Sequence, residues 1–244
     1  EIMPSLVGSE MCIRDRNKSG MMLWLGFDEG EGTTANDKSG YENDGTIYGA
    51  KWTDGKYGKG LEFDGMDDYV NIGSIGYASY KNKTYEVWIY PKSFHTNYQG
   101  IIESSDSGCK SGRLELKLDG RVYFEFGNAT TCIAATGHYM LSLNKWYHIA
   151  AVSNETHFWV YINGVRGVPK NFSLVPDVTD NYKIGKISGN PSFNGTIDEI
   201  KIYNRTLTDE EIMQHYQQGS LHLNQTYYYD GVFELNESDL RTKA

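Results

Sequence analysis

The chain has 244 residues and a formal net charge of -9, and no Lys/Arg cluster offsets the acidic excess, which argues against a polyanionic partner such as nucleic acid. Its 19 Tyr, 27 Gly and 14% aromatic content suit many strands joined by tight turns rather than a helical protein. No apolar run approaches the ~18 residues that a membrane helix needs.

Residues 1–16 resemble a translated sequencing-adapter run, not native sequence, and are set aside before the fold is read. Residues 17–20 read as a linker. Alternation and turn residues then predict strands at 22–27, 45–49, 61–64, 68–72, 84–90, 100–104, 112–118, 121–127, 146–153, 157–162, 182–185 and 195–203. Asp64-Gly65, Asp119-Gly120 and Asn163-Gly164 punctuate them. Ile197, Ile200 and Ile202 do not share one alternating face, so the last strand is expected to be kinked or covered on both sides. One helix is predicted near 209–218: Thr208-Asp-Glu-Glu211 is a capping box, Leu207 and Ile212 can form its hydrophobic staple, and Gly219 stands where a C-terminal glycine belongs. The domain is read as 21–219, with 220–244 a linker or the truncated start of a further module.

With Cys12 set aside, Cys109 and Cys132 flank the Asp119-Gly120 hairpin. If Leu118 faces Arg121, paired residue numbers sum to 239, and Cys109 with Cys132 sums to 241, nearly opposite. A disulfide is expected there, two buried free thiols being the other reading, and such a bond implies an oxidising compartment. Nine of the 17 asparagines begin Asn-x-Ser/Thr triplets, at Asn17, Asn82, Asn128, Asn154, Asn171, Asn194, Asn204, Asn224 and Asn236, a second hint of a cell exterior.

Leu25-Gly26-Phe27-Asp28-Glu29-Gly30, Asn43-Asp44-Gly45-Thr46, Gly60-Leu-Glu-Phe-Asp-Gly65, Lys145-Trp146-Tyr147-His148, Tyr161-Ile162-Asn163-Gly164 and Phe193-Asn-Gly-Thr-Ile-Asp198-Glu-Ile-Lys-Ile-Tyr203 occur in an order that resembles the laminin-G-like, concanavalin A-like jelly-roll family. The resemblance implies an all-β, two-sheet antiparallel sandwich with one short C-terminal helix. It implies, as a cofactor, a structural calcium ion, while the disulfide and the triplets give the expected extracellular or cell-surface location.

The jelly-roll topology that the resemblance implies sets the first and last strands side by side, and pairing Leu23 with Tyr203 would then put Asp28 opposite Asp198; with Asn43 and Asp44 these four offer the hard oxygen shell that calcium prefers. The competing reading has Asp28 and Asp198 capping turns through nearby amides. For a ligand surface, alternation turns Trp88, Tyr90, Tyr123, Glu125, Trp159 and Tyr161 away from the core, and aromatic rings beside polar groups suit a sugar. Against this stands sheet cover, the commoner use of large aromatics in a sandwich. His95, Tyr98, Asp106 and Arg113 are further loop candidates by position alone. Glycoside hydrolases of the same superfamily carry Glu-x-Asp-x-x-Glu on one strand; here Thr196-Ile-Asp-Glu-Ile-Lys201 lacks the flanking glutamates, so no enzyme is expected. The first reading is a non-catalytic carbohydrate-binding module of a larger surface protein, partnered by a glycan. The alternative is a module that binds an extracellular protein, or a structural spacer.

Overall fold

The computed structural model describes residues 18–104, 112–128, 130–177, 179–187, 189 and 192–221. Two antiparallel sheets face each other. The first joins β14 (Val165–Arg166), β13 (His157–Ile162), β12 (Tyr147–Ser153), β7 (Lys83–Pro91), β17 (Asn194–Tyr203), β5 (Lys59–Asp64) and β4 (Lys51–Asp54) in that order, with β1 (Met21–Leu25) on β17 and β15 (Lys170–Asn171) on β13. The second runs β11 (Cys132–Thr136), β10 (Val122–Gly127), β9 (Arg113–Leu116), β8 (Gln99–Glu103), β16 (Tyr182–Ile184), β6 (Tyr69–Gly73), β3 (Gly45–Tyr48) and β2 (Thr34–Ala35). One helix, α1, spans Asp209–Leu221.

Alternation builds the core directly. Val87 and Ile89 of β7, Ile149 and Ala151 of β12, and Phe158, Val160 and Ile162 of β13 meet Leu114, Leu116, Val122, Phe124 and Phe126 of the opposite sheet in one buried cluster. The last strand keeps all three of its isoleucines in that core because a bulge interrupts its register with β7 between Asp198 and Lys201, with Glu199 at φ 51°. The extra residue shifts the alternation by one, as bulges do.

Two expected registers shift. Leu118-Asp119-Gly120 is a three-residue loop closed by Lys117 and Arg121, whose backbone groups pair, so Leu116 lies opposite Val122 and the paired numbers sum to 238 rather than 239. Gly120 takes the φ of +76° that such a loop needs. On β1, Leu23 pairs with Ile202 rather than Tyr203, because of an irregularity between Met21 and Leu23. Asn163-Gly164, at φ 52° and 76°, does form the two-residue hairpin turn, setting Ile162 opposite Val165.

The first sheet is covered on its outer side as well. Ala150, Val152, Trp159, Tyr161 and Tyr203 form a second apolar cluster with Met21, Leu207 and Ile212, beneath α1. The capping box starts that helix as expected: Thr208 Oγ1 accepts from the Glu211 amide at 3.2 Å, and the Thr208 amide donates to Glu211 Oε2 at 2.9 Å. Gly219, however, lies inside the helix and not beyond it. A Cβ there would stand 2.4 Å from Trp88 Cζ2 and 2.4 Å from Tyr57 Oη, so the position is glycine for close approach rather than for termination.

Candidate functional site

The outer side of β7 carries Glu86, Trp88 and Tyr90, each in a different environment set by α1. Glu86 is buried under the helix, where His215 Nδ1 approaches it at 2.9 Å and His148 Nε2 at 3.5 Å. Burial alone would raise the Glu86 carboxyl, but His215 and then His148 carry it below the usual range. Burial pushes His148 down to about 4, so that ring is neutral near pH 7. Trp88 comes next, where the helix ends: its ring lies 6.1 Å from Tyr216, 5.2 Å from His148 and 6.2 Å from Tyr57. Tyr90 lies beyond the helix, half-buried against Trp146 at 5.5 Å.

A pocket of about 440 Å³ opens at that point, lined by Lys56, Trp88, Tyr90, Asn144, Lys145, Trp146, Asn163, Tyr216 and Ser220. Its volume falls in the range of small-ligand sites, and four aromatic rings with amide, hydroxyl and ammonium groups are the composition such sites use. Three segments far apart in sequence bring the lining together. The loop before β12 is tied to the end of β7 by the Asn144 amide on the Pro91 carbonyl at 2.8 Å. Asn163, in the β13–β14 turn, accepts from the His148 amide at 2.9 Å and donates to Tyr139 Oη at 3.2 Å. The β4–β5 hairpin sets Lys56 Nζ over the Trp88 ring at 4.4 Å.

Asp198 holds that hairpin from below. It is fully buried, and its carboxylate accepts from the Tyr57 amide at 3.0 Å and from the Glu199 amide at 2.7 Å. Burial pushes its carboxyl up to about 8, against the pull of those amides. Gly55 permits the fit, since a Cβ there would lie 2.6 Å from Asp198 Oδ2 and 2.3 Å from the Lys59 carbonyl oxygen. Asp28, by contrast, pairs with Lys38 Nζ at 2.6 Å. Asn43 and Asp44 belong to a loop wrapped on Asp37: the Asn43 amide donates to Asp37 Oδ2 and Asp44 Oδ1 accepts from the Asp37 amide. Asp28, Asn43, Asp44 and Asp198 thus do not fit calcium as they stand, because Asp28 is neutralised by an ammonium group and Asp28, Asp44 and Asp198 do not gather within one ion's reach. The acidic group that does gather among the described residues is Asp64, Asp67 and Asp68, where Asp64 and Asp68 bond the amides of their own turn.

Of the six expected ligand residues, Trp88 and Tyr90 line the pocket. Trp159 (5% exposed) and Tyr161 (fully buried) do turn away from the core, but α1 and its approach cover them; Tyr161 Oη donates to Asp209 and the Arg166 guanidinium lies 4.8 Å over Trp159. Tyr123 and Glu125 occupy the outer side of the second sheet. There Arg113 (2.8 Å) and Lys117 (2.9 Å) both pair with Glu125, and Arg113 (3.1 Å) and Lys117 (3.2 Å) both pair with Glu115. Lys117 also sits over the rings of Tyr123 at 4.0 Å and Tyr98 at 4.9 Å. Burial and then Glu125 push Glu115 up; burial would do the same to Glu125, but Arg113 and Lys117 hold it low. Two cations and two carboxylates close on one another, so Glu115 and Glu125 are not open to flank a scissile bond.

His95 bonds the Gly65 carbonyl at 2.9 Å, and Asp106 lies outside the described residues. Cys132 is opposite Gly127 and engaged in a disulfide, while Cys109 lies outside the described residues. Sequence reasoning missed Lys56, Asn144, Lys145, Trp146, Asn163, Tyr216 and Ser220 as members of the pocket lining. The apolar spacing of Ile212 and Tyr216 on α1 was the usable signal, since a helix with such a stripe must cover part of a sheet.

A family profile described as the concanavalin A-like lectin/glucanases superfamily matches residues 64–213. No curated protein sequence gives a significant match. Among solved structures, domain 4 of AbnA, an extracellular GH43 arabinanase of Geobacillus stearothermophilus in complex with arabinotriose, is similar at 20% identity and TM-score 0.68, over 80% of this chain and 98% of that one. The binding domain of Paraclostridial Mosquitocidal Protein 1 matches at 19% identity and TM-score 0.68, over 83% of this chain and 53% of that one. Trypanosoma rangeli sialidase, in complex with the inhibitor DANA, matches at 16% and 0.62, over 80% of this chain and 32% of that one. At these identities the likeness is one of fold, and in the last two proteins it spans about half of the chain or less.

Proposed function

The chain belongs to the concanavalin A-like lectin/glucanase superfamily, and from that premise we propose that it is a non-catalytic carbohydrate-binding module of an extracellular or cell-surface protein. The observation that carries this reading is the pocket at the end of α1, where Trp88, Tyr90, Trp146 and Tyr216 surround a space edged by Asn144, Asn163, Lys56 and Lys145. A pyranose has apolar faces that stack on rings and a rim of hydroxyls that need donors and acceptors, and both are supplied within one pocket. The arabinotriose complex of AbnA domain 4 supports the class of ligand, since nearly all of that domain is matched.

An exterior location is supported by the nine Asn-x-Ser/Thr triplets, of which Asn171 and Asn204 are exposed on the described surface, and by the extracellular origin of the arabinanase. It also agrees with a Cys109–Cys132 disulfide, Cys132 being disulfide-bonded. A calcium ion on Asp28, Asn43, Asp44 and Asp198 requires Asp28 to release Lys38 and the three carboxylates to move together. A fall in melting temperature on adding chelator to the purified chain would support such an ion, and an unchanged melt would overturn it.

The test of the main reading is a glycan array followed by titration of the best binder. Tyr90→Ala and Trp146→Ala are each expected to weaken binding about tenfold, the order of one aromatic contact of roughly 1.5 kcal/mol. Silence across a broad array, or affinity unchanged in both variants, would overturn the reading. The adhesive alternative would then stand, for which Val165, Val168 and Val175, 50%, 80% and 74% exposed, are apolar side chains open to a partner.

A further inference from the structure

The charge of the pocket runs against that of the chain. The sequence carries 32 acidic and 23 basic residues, yet the pocket lining holds two lysines and no Asp or Glu. Most described cations are spoken for: Lys38, Lys59, Lys81, Lys92, Arg113, Lys117, Arg121, Arg166, Lys201 and Arg205 all have carboxylate partners within 4.0 Å. Lys56 and Lys145 have none among the described residues, although Lys56 is half-buried, where an unpaired ammonium group loses hydration.

What Lys56 has instead is a ring, at 4.4 Å, whose face it shares with the cavity. Asp198, the acid nearest in effect, is buried beneath the hairpin and bonded to the amides of Tyr57 and Glu199, so it braces the loop that presents Lys56. His148, behind Trp88, is neutral and adds no charge near pH 7. A partly buried cation held in place by its backbone, beside a second one, with aromatic walls and no carboxylate in the lining, is arranged for an anion that arrives with the ligand.

Resting on the carbohydrate-binding reading above, we infer that the pocket takes an anionic saccharide, its sugar ring against Tyr90 and Trp146 and its negative group neutralised by Lys56 and Lys145. Lysine is a compact point charge without the planar fork of arginine, so the shared chemistry is a negative charge on the sugar, whether carboxylate or sulfate ester. Galactose-based probes separate these sources: trigalacturonate, a 6-sulfated galactotriose, and uncharged galactotriose of the same linkage, each titrated into the full chain.

At least one of the two anionic probes should bind about tenfold or more tightly than galactotriose, and this margin should shrink at ~0.15 M salt, where the screening length is about 8 Å. Lys56→Gln and Lys145→Gln should each cost about tenfold against the anionic probe, the scale of one charge-assisted hydrogen bond. Lys170→Gln, at an exposed lysine on β15 away from the pocket, is the control for loss of charge alone. Galactotriose binding as well as both anionic probes, or an anionic preference that survives Lys56→Gln with Lys145→Gln, overturns the inference. So does an array on which the chain binds only neutral glycans, lost in Tyr90→Ala; that outcome leaves the carbohydrate-binding reading intact. Failure to bind any glycan overturns both.

Discussion

Gly219→Ala separates a helix that merely ends near the pocket from one that forms its wall. In the last turns of α1 a Cβ at this position would stand 2.4 Å from Trp88 Cζ2, 2.4 Å from Tyr57 Oη and 3.0 Å from Trp88 Cε2. Ordinary carbon contacts lie at about 3.5–4 Å, so the helix end or the indole must move by roughly 1 Å. Two contributions oppose each other. Replacing a helix glycine by alanine gains about 0.8–1 kcal/mol of propensity, whereas overpacking a filled contact costs about 1–3 kcal/mol. The net is a loss of about 0–2 kcal/mol, read in a thermal melt as a fall of at most several degrees. The larger effect should be on the ligand, because displacing the helix end moves Tyr216 and Ser220 in the pocket wall; an affinity loss of about tenfold is expected. A variant stabilised by ~1 kcal/mol with unchanged glycan affinity would refute the reasoning, since only an undocked helix end could accept the methyl group so freely.

Trp159→Ala should act on stability instead of binding: the side chain is 5% exposed beneath α1, and its truncation should cost about 3–5 kcal/mol in chemical denaturation while glycan affinity at low temperature stays as in the parent. Lys83 is buried at the end of the sandwich between the rings of Tyr77, Tyr85 and Tyr182, and burial lowers its ammonium to about 7 from an ordinary 10.5. Between those values the unfolded chain holds a proton that the folded one lacks, so Lys83 makes stability rise with pH by up to ~1.4 kcal/mol per unit. Asp198 has the opposite sign below about pH 8, and the buried tyrosines, which burial holds above their ordinary 10, add the opposite sign as the pH nears 10, so the lysine is read between about pH 8 and 9 as the difference between the parent and Lys83→Met. Lys83→Met should remove that slope, and an unaltered pH profile would contradict it.

The strands predicted from alternation correspond to twelve of those observed, because period-two patterning with glycine turns reports a half-buried ladder directly. The shorter and edge strands were less legible. Lys51–Asp54 is partly or fully exposed along its length and Cys132–Thr136 at every residue but Ala135, and an edge strand carries little apolar alternation to betray it. Registers failed by one residue wherever a backbone irregularity intervened: the three-residue loop at Leu118–Gly120 and the break between Met21 and Leu23 are matters of local φ and ψ that side-chain types do not encode uniquely. The site was half legible. Alternation identified Trp88, Tyr90, Trp159 and Tyr161 as facing outward, which holds for all four, but it carries no information about what else packs on that side. Whether an outward aromatic is wall or platform was decided by α1, some fifty residues or more further along the chain.

The position of the pocket follows from that cover. A sheet buried on both sides has no free surface at its centre, and β12 is buried at every residue from Tyr147 to Ser153. On β7 and β13 the outward aromatics open into a pocket where the helix stops, and the length of α1 therefore selects Trp88 and Tyr90 from a longer row of outward residues. The remaining walls come from the loop before β12, the β13–β14 turn and the β4–β5 hairpin, and Lys56, Asn144, Lys145 and Asn163 belong to neither apolar cluster. The charge and width of the pocket can consequently change with these loops while the sandwich is kept. It is through Lys56 and Lys145, more than through the shared fold, that this chain would differ in ligand from a relative that holds arabinotriose.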